Sequence, residues 1–179
     1  MNRIILITIA TFVLASISCS KIDKLTQFDK NYSYETTIKS IVGINLPFDI
    51  PTPVIKTNLS EDLEVNNSKK DLIEKAIVKA LKVTITNPED GDFSFLNQIE
   101  IFITANELPK EKVAFKYDIP NDIGKVLEMD LVPSLNLEKY IKKDEFTLDI
   151  TIKTDKILLH DTDIKIDATF GIDAKILGI

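Results

Sequence analysis

From Asp163 to Ile176 apolar and polar residues alternate without a break. Ile164, Ile166, Ala168, Phe170, Ile172, Ala174 and Ile176 share one parity, and Asp163, Lys165, Asp167, Thr169, Gly171, Asp173 and Lys175 take the other. Successive side chains of a strand point to opposite faces, so a strict period of two predicts a half-buried strand. At about 3.3 Å per residue it spans roughly 40 Å. A strand of that length pairs with several others and serves as the spine of an antiparallel sheet with one face in water. Gly171, lacking a side chain to pack, is the expected place for a bulge or bend.

The same period recurs along the chain. Tyr32 to Lys39 reads as the first strand, with Tyr34, Thr36 and Ile38 on one parity; Val54 to Asn58 reads as a short edge strand. Leu81, Val83 and Ile85 point inward on the next, followed by a turn at Asn87-Pro88-Glu89-Asp90-Gly91-Asp92. Ile99, Ile101 and Ile103 form another strand with Phe102 on its opposite face, then Val113, Phe115 and Tyr117, then Leu127, Met129 and Leu131. Phe146, Leu148, Ile150 and Ile152 alternate just before the spine. Two short helices are predicted, Lys69 to Ala76 behind a Ser68 cap and Leu135 to Ile141 behind a Ser134 cap. Pro47, Pro51 and Pro53 confine their region to loop or sheet edge.

Seven to eight strands joined by two short helices, with no crossover helix long enough for a parallel sheet, predict an all-β fold. The expected architecture is an antiparallel β-sandwich of immunoglobulin-like type.

The N-terminus adds a destination. Met1-Asn2-Arg3 precedes an apolar run from Ile4 to Leu14 and then the small residues Ala15, Ser16 and Ser18. This is the order of an export signal, and the run is too short for a stable membrane-spanning helix. The expected layout is a signal over 1–18, an anchor and polar tether over 19–31 and the sandwich over 32–179. Arg3 is the only arginine and the net charge is −6, which argues against a nucleic-acid partner. A single cysteine, Cys19, excludes an internal disulfide and a thiolate zinc cluster, and a single histidine, His160, leaves a His-based triad with one member.

Ser16-Ile17-Ser18-Cys19 resembles the lipobox of bacterial lipoproteins, although Ser16 stands where leucine is usual. The resemblance implies that Cys19 becomes the first mature residue and carries acyl chains such as palmitate. Those chains would hold the protein on the cell membrane or the outer membrane. Asn45-Leu46-Pro47-Phe48-Asp49 with Pro53, Phe93 to Ile101, Leu137 to Ile141 and Ala168 to Lys175 are together similar to a group of uncharacterised bacterial lipoproteins with all-β domains. That group carries no catalytic motif, so the resemblance implies no catalytic residue and no cofactor.

Candidate chemistry is sparse. His160, Asp161, Asp163 and Asp167 are oxygen and imidazole donors near one strand face, but Lys165 lies among them and a solvated face of mixed charge is the commoner reading. Asn87 to Asp92 lacks the spacing of a calcium loop. Asp144-Glu145 and Glu61-Asp62 are adjacent carboxylates, and neighbours on a strand point apart, which defeats a glycosidase pair. No nucleophile elbow or Gly-rich phosphate loop is present. The remaining candidates are apolar: Phe48, Phe102 and the proline-bounded stretch Ile44 to Ile55, expected to form a patch for a partner at one end or edge of the sandwich. The function that follows is a membrane-anchored, non-enzymatic module that engages another cell-envelope protein, without metal or cofactor. The alternative is a carrier of a lipid or other apolar ligand between the two sheets.

Overall fold

The computed structural model describes residues 27–40, 42–43 and 45–175. In chain order its strands are β1 (Gln27–Ile38), β2 (Pro47–Ile50), β3 (Ile55–Lys56), β4 (Ile73–Asn87), β5 (Leu96–Thr104), β6 (Glu111–Lys116), β7 (Val126–Glu128), β8 (Asp130–Leu131), β9 (Glu145–Thr154) and β10 (Thr162–Ala174). Among the described residues the helices are α1 (Ser60–Val65) and α2 (Glu138–Ile141), with one 3-10 turn at Lys70–Leu72. Among the described residues no helix is long and apolar enough to cross a membrane.

The alternating closing segment forms β10, and its inward row from Ile164 to Ala174 is buried; Ile176 and Cys19 lie outside the described residues. β10 pairs antiparallel with β1 from Gln27↔Asp173 to Ile38↔Thr162 and, on its other edge, with β4. One sheet is ordered β1-β10-β4-β7 and the other β2-β9-β5-β6-β8, with β3 also on β9. The antiparallel β-sandwich read from the pattern is what forms. Its wiring is that of a jelly roll, because the long closing strand slots between β1 and β4. In the immunoglobulin-like order the first strand lies beside the second instead.

Three local expectations are corrected. Lys69 to Ala76 is no helix: after the 3-10 turn the chain enters β4, and the Ser68 hydroxyl donates to the Lys175 carbonyl instead of capping. The register of β4 against β10 skips Glu74 and Lys79, so the residues opposite the buried row of β10 are Ile73, Ala76, Val78 and Leu81, spaced three, two and three apart. Two bulges thus imitate a helical period. Ser134 does not cap α2; the Asn136 side-chain oxygen accepts from the Glu138 and Ala76 amides instead. Gly171 is not itself the bulge. It pairs in register with Asp29 and Ile77, and a Cβ built on it would lie 2.4 Å from Lys79 Cε. The missing side chain lets Lys79 lie across β10 and reach Asp29 on β1, Nζ to Oδ1 2.5 Å.

Between the sheets, Tyr32 of β1 and Phe170 of β10 meet Phe146 of β9, with ring centroids 5.2 and 5.8 Å from it. The Tyr32 hydroxyl donates to the Thr57 carbonyl and that of Tyr34 to the Leu148 carbonyl, at 2.9 and 2.7 Å. Buried hydroxyls need such partners. Burial, helped by the charges of Asp62 and Asp149 respectively, pushes both phenols well above their ordinary pKa.

The two ends of the sandwich differ. Where β1 begins, Leu63 of α1 and the Leu59 that precedes it are buried, and α2 buries Tyr140 and Ile141. There the Tyr140 hydroxyl donates to Pro109 of the β5–β6 hairpin at 2.7 Å. Among the described residues, the end where β1 stops carries loops only.

Candidate functional site at the loop end

Four loops meet at that end, 39–46, 88–95, 117–125 and 155–161, each joining two of the strands named above. Backbone bonds knit them: Asn45 N to Thr154 O, Asp155 N to Phe95 O and Phe93 N to Gly124 O. Asp161 ties the first loop to the last, accepting from Lys39 Nζ at 2.8 Å and from the Ser40 amide at 2.9 Å. The hydrogen bond from Lys39 and that from Ser40 hold the Asp161 carboxyl below its ordinary pKa. Lys156 reaches the Asn121 side chain.

On this frame stand four aliphatic side chains in water, Val42, Leu46, Ile157 and Leu159, with Val42 82% and Leu159 76% exposed. Large apolar side chains held singly at a surface are ordinary, but a group on adjoining loops marks an interaction site. Beside them lies a groove of about 270 Å³, lined in part by Val42, Phe48, Ile50 and Pro51. Phe48 is half-buried and packs on the core from inside the groove. Its register partner is Ile152, which places it on the inward parity of its sheet.

Phe102 is elsewhere. It pairs with Asp149 and Lys112 on the solvent face of the same sheet, with the Lys110 ammonium 4.6 Å from its ring centroid. The two phenylalanines therefore do not form one patch. Phe102 shares its face with Phe115 and Tyr117, whose rings stack at 4.9 Å. The register skips Val113 between Phe102↔Lys112 and Ile101↔Ala114. That bulge turns both Val113 and Ala114 inward and throws Phe115 and Tyr117 out. Glu100, on the same face, accepts from Lys112 at 2.8 Å and Tyr117 at 2.5 Å. Burial alone would raise its pKa, but these two donors together lower it.

The carboxylates considered for a cation have protein donors. Asp163 accepts from Thr37 at 2.7 Å and Asn87 at 3.2 Å, and Asp167 pairs with Lys165 at 3.0 Å. Among the described residues no group of three His, Cys, Asp or Glu side chains is placed to hold a metal. Asp144 pairs with Lys70 at 2.6 Å and Asp62 with Lys30 at 2.5 Å. The pattern did not single out Ile157 and Leu159. The signal available was the apolar run Ile157-Leu158-Leu159 between Lys156 and His160, in a segment with no strand period.

No protein-family model matches the chain, and no curated protein does. Solved structures with a similar course of strands include the Desmodium yellow mottle tymovirus structure, at 12% identity over 86% of this chain and 91% of that one, TM-score 0.34. The decameric BFDV capsid protein aligns at 11% identity over 83% and 98%, TM-score 0.42. The Triatoma virus empty capsid aligns at 11% over 87% and 93%, TM-score 0.41.

Proposed function

We propose that this chain is an exported bacterial lipoprotein, anchored through acyl chains on Cys19, whose sandwich is a non-enzymatic module that holds another cell-envelope protein at its loop end. The observation that carries the reading is the group of four exposed aliphatics on adjoining loops, at the end of β1 away from Gln27. Cys19 precedes Gln27 by eight residues (27 minus 19). A tether from a lipid on Cys19 would therefore enter the sandwich at the end where β1 begins, opposite the loop end.

Carriage of an apolar ligand between the sheets is the weaker reading, since Tyr32, Phe146 and Phe170 already touch across that space. Intact-mass measurement and membrane fractionation of the native protein beside Cys19→Ser test the anchor. The variant should lose the added mass and leave the membrane fraction, and an unmodified thiol on the native chain would refute the anchor. In-cell photocrosslinking from Leu46 and Leu159, against Val65 at the opposite end, tests the docking. Adducts confined to the loop end are expected, and equal adducts from Val65 would sink the assignment.

A further inference from the structure

We infer that the surface docked at the loop end is a protein face with an apolar centre and a basic rim, neither a lipid bilayer nor a second copy of this chain. The inference rests on the docking reading above and adds the chemistry of the occupant.

The four loops carry seven carboxylates, Glu89, Asp90, Asp92, Asp118, Asp122, Asp155 and Asp161, and three lysines, Lys39, Lys125 and Lys156. Seven minus three leaves a formal −4 at this end, out of −6 for the whole chain. Two of the lysines are engaged locally, Lys39 by Asp161 and Lys156 by Asn121. An exposed apolar group thus shares this end with an excess of carboxylates.

Each possible occupant meets that charge differently. An anionic bilayer is repelled by it. A second copy would set −4 against −4. A protein with Lys or Arg around an apolar centre gains from both parts, the apolar contact supplying the buried core of the interface and the charges steering and orienting the approach.

The test uses the full chain in its native membrane, with Leu159→p-benzoylphenylalanine as the photocrosslinker and mass spectrometry of the adduct to sequence the captured segment. A protein segment of net positive charge around apolar residues is expected. Capture should fall about tenfold on raising salt to ~0.5 M in isolated membranes, or on introducing Glu89→Lys, Asp90→Lys and Asp122→Lys together. Those positions are exposed turn residues, and an unchanged urea midpoint confirms that the triple variant folds. An adduct to lipid, to a second copy or to an acidic segment overturns the inference, as does capture indifferent to both salt and charge reversal. An acidic segment, or protein capture indifferent to salt and charge, leaves the docking reading standing, whereas a lipid or second-copy adduct removes that reading as well. Absence of any adduct from Leu46 and Leu159 removes both.

Discussion

The two ends of this sandwich handle the same problem, an open rim of apolar side chains, in opposite ways. At the end where β1 starts, α1, α2 and the β5–β6 hairpin fold over the gap and leave Leu59, Leu63 and Ile141 fully buried. At the other end four loops hydrogen-bond to one another and leave Val42, Leu46, Ile157 and Leu159 in water. Loop residues Phe93, Phe95 and Ile119 are buried at that end too, so the loops close the core there while holding further aliphatics outside it. The plug residues at the first end serve folding, and the four exposed aliphatics at the second are free to serve recognition.

The contrast breaks most visibly in stability. Leu63→Ala should cost about 2–5 kcal/mol as a large-to-small change in a closed core, read as a shift of the urea midpoint at constant slope. A change under ~1 kcal/mol would mean that α1 is no plug. Phe170→Ala, which empties the space between Tyr32 and Phe146, belongs in the range of about 3–5 kcal/mol. Gly171→Ala is a smaller effect. Its Cβ displaces the flexible end of Lys79, so the expected loss is about that of an exposed ion pair, ~0–1 kcal/mol, and should vanish in a Lys79→Ala background. Leu159→Ser or Leu46→Ser should move stability by no more than ~0.5 kcal/mol while abolishing capture at the loop end. A larger loss would make these residues part of the core and erase the distinction.

The mildest probe is acid. Because Asp161 has a depressed pKa in the folded chain, its link between loops 39–46 and 155–161 is intact above the unfolded carboxylate value of about 4. It is lost as pH falls through the lower folded value. The Ser40 amide resonance should report this as a titration in that acid window, and Asp161→Asn should flatten it.

Legibility in the sequence followed the same division. β9, β10 and the inward row of β5 were readable because nothing interrupts their alternation. β4 was half hidden by the skipped residues Glu74 and Lys79, which space its inward side chains as a helix would. β6 was misphased by Val113, so Phe115 and Tyr117 looked interior. A bulge is set by the partner strand, and a single strand's pattern carries no record of it. The stretch Leu127 to Leu131 likewise alternates as one strand, yet its first half pairs with β4 and its second with β6, with buried Met129 at the corner. The proline-bounded stretch did supply Phe48 to the groove. The loop aliphatics needed the fold, since only the crossings between the two sheets bring 39–46 beside 155–161.

The unbroken ladder between β1 and β10, from Gln27↔Asp173 to Ile38↔Thr162, bears on how the protein would carry tension. If lipid holds one end and a partner the other, a pull between them runs along the strand axes. All the rungs are then loaded at once in shear, not peeled one after another. Lys79, strapped over Gly171 to Asp29, adds a crosswise tie near the point where such a pull would enter.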